Sequence, residues 1–326
     1  MTDESRTGAT PADRRWRESL LAALLAAGVM TCITSYLRRW GWEVTDFDQL
    51  WYAGRALLAG RDPYTAWQAA GLRYPMYYPL HAVLLTLPLA LLPREQAWSI
   101  LAAATGFVAG FGLHRLGRWA LIALLSPVWW GAALMGQITP ALVGAALVPW
   151  LGFILAAKPT VGLALWISRP TREAAIGAAL FTLLCFIVLP GWAASWLHLL
   201  DEAPYFRAPI TRPGGVLLLL ALLRWRTPEG RLLAAWAFIP RTEHVYDLLP
   251  LLLVARSAAD AALLTTCGLL ALVVLALQPM PPDELIPRSI AAWPTLFGLI
   301  YLPSLFVVLS PVLERAMRRQ PIAPSS

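Results

Sequence analysis

The sequence predicts an all-α polytopic membrane protein, on the strength of its composition, its string of apolar runs and the basic residues at its short turns. Of 326 residues, 58% are hydrophobic and 14% charged, where a soluble domain carries about 25% charged residues. The mean hydropathy is +0.60. No composition shift, low-complexity linker or internal repeat divides the chain, so residues 1–326 read as one integral membrane domain.

The first apolar run, Leu20 to Leu37, approaches the roughly 20 residues that span hydrocarbon. It follows "RRWRES" and no A-x-A cleavage pattern comes after it, which predicts an uncleaved helix behind a cytoplasmic tail, 1–17. Residues 38–79 form a first outer loop. Within it Leu50, Ala53 and Leu57, with Trp51 and Leu58, recur at helical spacing before Gly60 and "RDPY", so a short amphipathic helix lies at the outer surface. Asp46 and Asp48 stand at its start. Further helices are expected near 80–93, 97–113, 119–135, 140–157, 159–168, 174–191, 214–224, 231–240, 247–256, 260–278 and 289–312, ahead of a tail at 313–326. Runs as short as "PTVGLALWIS" are half of a broken helix, a tilted continuation, or buried against other protein. The total is about 9 to 12 spans.

Orientation follows from the short basic turns. The N-terminal Arg6, Arg14, Arg15 and Arg17, "SRPTRE", "RWRTPEGR" and "ERAMRRQ" fall on one side, which the positive-inside rule makes cytoplasmic. The acidic loops then face outward. These features predict a multi-pass protein of the cell membrane with its N-terminus inside. The net charge of +7 is spread over span ends and not gathered on one face, which points to lipid and away from nucleic acid. Cys32, Cys185 and Cys267 lie in apolar runs as small hydrophobes. His81, His114, His198 and His244 make no metal-ligand pattern, so no metal and no cofactor are expected. Trp40, Trp42, Trp119, Trp192, Trp225 and Trp293 sit at predicted span ends, where indole rings favour the headgroup level. "GFVAGFG" has helix-packing spacing and lacks the preceding strand that a dinucleotide loop needs.

The charges left to explain stand in the first outer loop. Asp is a favoured helix N-cap, so one of Asp46 and Asp48 has a structural use. Carboxylates beside Arg55, Arg61 and Arg73 also suit group transfer from a phosphorylated lipid, because arginine offers forked donors to phosphate.

Four stretches, "DFDQLWYAGRALLAGRDPY", "YYPLHAVLLTLPLALLP", "GQITPALVG" and "AAKPTVGLALWISR", resemble successive signatures of the family 87 glycosyltransferases, over roughly residues 15–260. The resemblance implies a GT-C-like membrane bundle that moves a sugar, often mannose, from a polyprenyl-phosphate carrier to a glycan or glycolipid acceptor on the outer face. It implies that Asp46 is the base, while Asp48 falls at a variable position. The family's Tyr-Pro-Pro is here Tyr78-Pro79-Leu80, and the segment between "GQ" and "KP" is short.

The chemistry suits these residue types. A carboxylate that takes the acceptor proton contributes typically about 10² to 10⁴ in rate, which makes Asp46 the catalytic candidate. The departing lipid phosphate needs cations more than a general acid. Lys158 in "AKPT" is the candidate for that contact, with Arg55, Arg61 or Arg207 as helpers; the other role for Lys158 is a snorkelling side chain at a span end. Tyr78 and Asp48 complete the substrate-binding set. His244 either orients a hydroxyl or phosphate or is a loop histidine without a role. A transporter or flippase of lipid-linked sugars, or a non-catalytic member of the family, remains as the alternative. If Asp46 is not the base, Asp62, Asp201 and Asp247 are the next candidates.

Overall fold

The computed structural model describes residues 11–39, 46–72, 74–201, 206–241, 244–279 and 285–318. Among these the regular structure is helical, apart from one isolated antiparallel bridge between Arg207 and Arg241. Trp40, Trp42 and Arg73 lie outside the described residues.

The first helix, α1 (Pro11–Arg38), runs against α5 (Arg94–Leu116), and polar groups pin their ends. Arg118 meets Glu18 at 2.6 Å, and Ser19 Oγ lies 2.8 Å from His114 Nδ1. The start of α1 thus sits beside the end of α5, so the two are antiparallel. The "GFVAGFG" face supplies the close approach: a Cβ at Gly106 or Gly110 would lie 2.6–2.9 Å from the nearest atoms of Met30, Ala26 or Ala22 of α1.

Between them lie α2 (Asp46–Leu58), the single turn α3 (Ala66–Ala69) and α4 (Leu80–Thr86), the last continued by a 3-10 turn, Leu87–Leu91. The apolar face of α2 buries Phe47, Leu50 and Ala53 against protein, and Trp51 donates to the Leu92 carbonyl at 3.1 Å. The helix is therefore held by α4 and its extension.

After α5 the chain breaks repeatedly. A 3-10 segment, Arg118–Leu125, leads to α6 (Pro127–Leu134) and α7 (Thr139–Ala145); another, Pro149–Ala157, leads to α8 (Pro159–Ser168). Proline stands in the first turn of α6, α7, the Pro149–Ala157 segment and α8. There its missing N–H costs nothing, so it starts each new piece and ends the previous one. The Pro149–Ala157 segment and α8 fold back on each other: Gly162 lies so close to Leu155 that an added Cβ would be 2.0 Å from its carbonyl oxygen. Lys158 is the apex of that hairpin, and "PTVGLALWIS" is one of its arms.

Next come α9 (Arg172–Val188) and α10 (Trp192–Asp201), which meet at 101°. The acidic stretch from Ser195 on is expected as outer loop; its first part, to Asp201, is helix, with Trp192 buried and Trp196 donating to the Tyr77 carbonyl at 2.9 Å. The 3-10 segment Gly215–Arg224, α11 (Pro228–Ala237), the 3-10 segment Val245–Val254 and α12 (Ala258–Leu277) follow. The last span is α13 (Leu285–Leu296), a π turn over Phe297–Tyr301, and α14 (Leu302–Arg318).

The chain is an all-α, membrane-embedded protein. Among the described residues four helices are long and apolar enough to cross a bilayer, or five if α9 and α10 count as one bent span. Long helices are thus fewer than the about 9 to 12 spans expected from hydropathy, because proline and Lys158 divide several apolar runs into half-length pieces. The lipid-facing character shows in the outward Leu24, Leu25, Leu180, Ile187 and Leu277. Cys32 is exposed on α1, while Cys185 is buried in α9. Trp225 is exposed at a helix end, as an interfacial ring should be, but Trp192 and Trp293 are interior packing residues.

Candidate functional site

The ends of five short elements meet at one place, and each brings a polar side chain. The first residue of α2 supplies Asp46. The turn before α4 supplies Tyr78. The tight turn between α6 and α7, made possible by Gly136 at a φ of 62°, supplies Gln137 and Thr139. The hairpin apex supplies Lys158, and the start of Val245–Val254 supplies Tyr246 and Asp247. A continuous helix keeps its polar backbone satisfied and turns few side chains inward; broken ones leave polar residues at their ends, inside the bundle.

Gln137 is the hub. Its amide nitrogen donates to Asp46 Oδ2. Its carbonyl oxygen accepts from Lys158 Nζ at 3.0 Å, from Tyr78 OH at 3.1 Å and from Thr139 Oγ1 at 3.4 Å. Lys158 reaches Asp247 Oδ1 at 3.2 Å, and its ammonium lies 5.9 Å from the Tyr78 ring centre. Tyr246 completes the wall with a hydrogen bond to Asp46. Gln137, Thr139 and Asp247 are 3%, 0% and 5% exposed, so this network is desolvated and its ion pair is strongly coupled.

One ammonium serves two carboxylates, paired with Asp247 and linked to Asp46 through Gln137. Asp46 retains some surface as a residue, but its carboxyl is walled in, and that loss of water raises its pKa to about 6 from 3.8. Lys158 and the hydrogen bonds from Gln137 and Tyr246 oppose the rise, and the negative charge of Asp247 adds to it. A carboxylate poised near neutrality is the arrangement a general base requires. Among the described residues no three His, Cys, Asp or Glu side chains gather as metal ligands.

No family model, curated protein or solved structure matches the chain.

Of the residues singled out in the sequence, Asp46, Tyr78 and Lys158 are brought together. Lys158 does not snorkel; it is an ion pair inside the cluster. His244 packs beside it, its ring 5.2 Å from that of Tyr246. Asp48 points elsewhere, into a two-pronged pair with Arg94 at 2.5 and 2.7 Å that ties α2 to the start of α5. Arg55 is exposed over Trp51, nine residues along α2, about 13 Å of helix from Asp46. Arg61 is exposed in the turn after α2, and Arg207 is exposed on the bridge to Arg241. Asp62 shapes a turn by accepting from the Tyr64 amide at 2.8 Å, and Asp201 ends α10 in solvent.

Gln137, Thr139 and Tyr246 were not foreseen, and Asp247 only as a substitute for Asp46. Being uncharged, the first three give no signal in a search for charges among apolar runs. Gln137 had a signal of another kind, shared with Thr139: both are polar residues of "MGQITP", between a turn glycine and a helix-starting proline.

Proposed function

We propose that this protein is a membrane glycosyltransferase of the outer face of the cell membrane, which moves a sugar, mannose in the first instance, from a polyprenyl-phosphate carrier to an acceptor hydroxyl. Asp46 is the general base. The observation that supports this most is the environment of Asp46: a carboxyl raised to about 6, oriented by Gln137 and Tyr246, at the start of an outer-loop helix. The sequence resemblance described above points to the same residue.

In the transfer, the acceptor oxygen gives its proton to the Asp46 carboxylate as it bonds to the anomeric carbon. The bond from that carbon to the carrier phosphate breaks, and the phosphate leaves with the bonding pair as polyprenyl phosphate. Gln137 holds the carboxylate by its amide, and Lys158 limits how far its pKa rises. The step needs neither nucleotide sugar nor cofactor.

The half-length helices around Lys158 favour a second reading, a flippase of lipid-linked sugars, since transporters also build sites from broken helices. One experiment separates the two. Purified protein in detergent is given a panel of polyprenyl-phosphate sugars with glycan and glycolipid acceptors. Release of polyprenyl phosphate with glycosylated acceptor is expected; no release in detergent, together with movement of intact donor across proteoliposomes, would establish the flippase.

A further inference from the structure

Lys158 is a poor receptor for an anionic ligand, because it is already paired with Asp247 and feels the charge of Asp46 nearby. A different cation is placed for that task. Arg241, just after α11, is 7% exposed, and it is the only lysine or arginine buried to that degree among the described residues. Its guanidinium lies 4.1 Å from the Trp236 ring centre and 5.7 Å from that of Tyr301. One terminal nitrogen is occupied, donating to Tyr301 OH at 2.6 Å and to the Trp236 carbonyl at 3.3 Å. The Nε and the other terminal nitrogen are buried with no partner. No carboxylate among the described residues pairs with it.

A buried guanidinium with two unfilled N–H groups is expensive, and structural arginines have their forks filled by carbonyls or carboxylates. Here the aromatic rings fix the plane of the fork and exclude water. Two further arginines stand nearby: Arg207 is the bridge partner of Arg241, and Arg212 lies 5.4 Å from the centre of the Trp293 ring, which packs on Tyr301. The π turn Phe297–Tyr301 widens the last span where Tyr301 meets Arg241, and such bulges recur at functional sites. Arg241 lies six residues before Asp247 on the segment that enters the site.

We propose that Arg241 is a buried receptor for the phosphoryl oxygens of a ligand, taken two at a time by its unfilled fork. That this phosphate belongs to the lipid carrier rests on the transferase proposal; the anion site itself does not.

The test is isothermal titration of the purified protein, in uncharged detergent, with farnesyl phosphate, farnesol and inorganic phosphate. Wild type is expected to bind farnesyl phosphate at least tenfold more tightly than farnesol, and Arg241→Met to lose that preference. If inorganic phosphate competes at the same concentration, the site stands with free phosphate as its ligand. Should Arg241→Met fail to fold, Arg241→Lys keeps the charge without the fork and is expected to bind farnesyl phosphate at least fivefold more weakly. Wild-type affinity in either variant, or no preference over farnesol in the wild type, overturns the proposal. The titration contains no acceptor and reads no turnover, so a failure of the transferase proposal leaves this result distinguishable.

Discussion

Asp46 can accept a proton only while ionised, so its raised pKa has a measurable consequence. A plot of kcat/KM against pH is expected to fall on the acid side with its midpoint near pH 6, where Asp46 protonates. Lys158→Met removes the charge that pulls this pKa down, so the midpoint moves to higher pH; Asp247→Asn removes a charge that pushes it up, so the midpoint moves lower. Shifts in the opposite directions, or no shift in either variant, would disconnect these residues from Asp46. The same pKa fixes the sign of a stability effect. Because the folded value lies above 3.8, this carboxyl favours the fold at pH values below 3.8 and loses that contribution as pH rises through about 6. Asp46→Asn should therefore melt no lower than wild type at pH 7.5 in a detergent thermal scan. Asp46, Tyr78 and Lys158 were legible in the sequence because each stands in a distinctive local pattern. Tyr246 and Asp247 were obscured for the opposite reason: their role comes from the packing of a distant segment.

At the scale of the elements, the half-length helices do the positioning. The Lys158 hairpin exists because its two arms can touch at Gly162, where even a methyl group would meet the Leu155 carbonyl at 2.0 Å. Gly162→Ala is expected to cost about 1 to 3 kcal/mol, as overpacking does. Gly28→Ala, where an added Cβ meets nothing within 4 Å, should be near neutral or stabilising. Equal melting temperatures for the two variants would mean the hairpin is not tightly packed. The break at Lys158-Pro159 could be read from the sequence, since ten apolar residues are too few to span. The helix Trp192–Asp201 could not be separated from the loop beyond it, because "HLLDEAP" ends in charges and a proline while the interior contacts of Trp192 and Trp196 are long-range.

For the whole molecule, polar contacts sort towards two ends. Arg118 with Glu18, and Arg169 with Glu229 at 3.9 Å, join basic turns at helix ends remote from the site. Asp48 with Arg94 closes the end of α5 beside Asp46, and α5 between these groups is about 35 Å long. In a cysteine-free background, a single cysteine at position 68 is expected to react with an impermeant reagent from outside the cell, and one at position 320 only after permeabilisation; the reverse pattern would turn the site to the cytoplasm. Composition made the membrane-embedded class legible, but apolar content alone could not count its long helices.

The central claim is that Asp46 removes the acceptor proton, and one measurement meets it directly: sugar transferred per enzyme from polyprenyl-phosphate mannose by Asp46→Asn beside wild type. Asn keeps the shape of the side chain and caps a helix about as well as Asp, so the structure should persist. Turnover is predicted to fall about 10²-fold or more with donor binding unchanged, while Asp48→Asn, which weakens the pair with Arg94 that anchors α2, should have a much smaller effect on turnover. Turnover in Asp46→Asn equal to that of wild type would contradict the account.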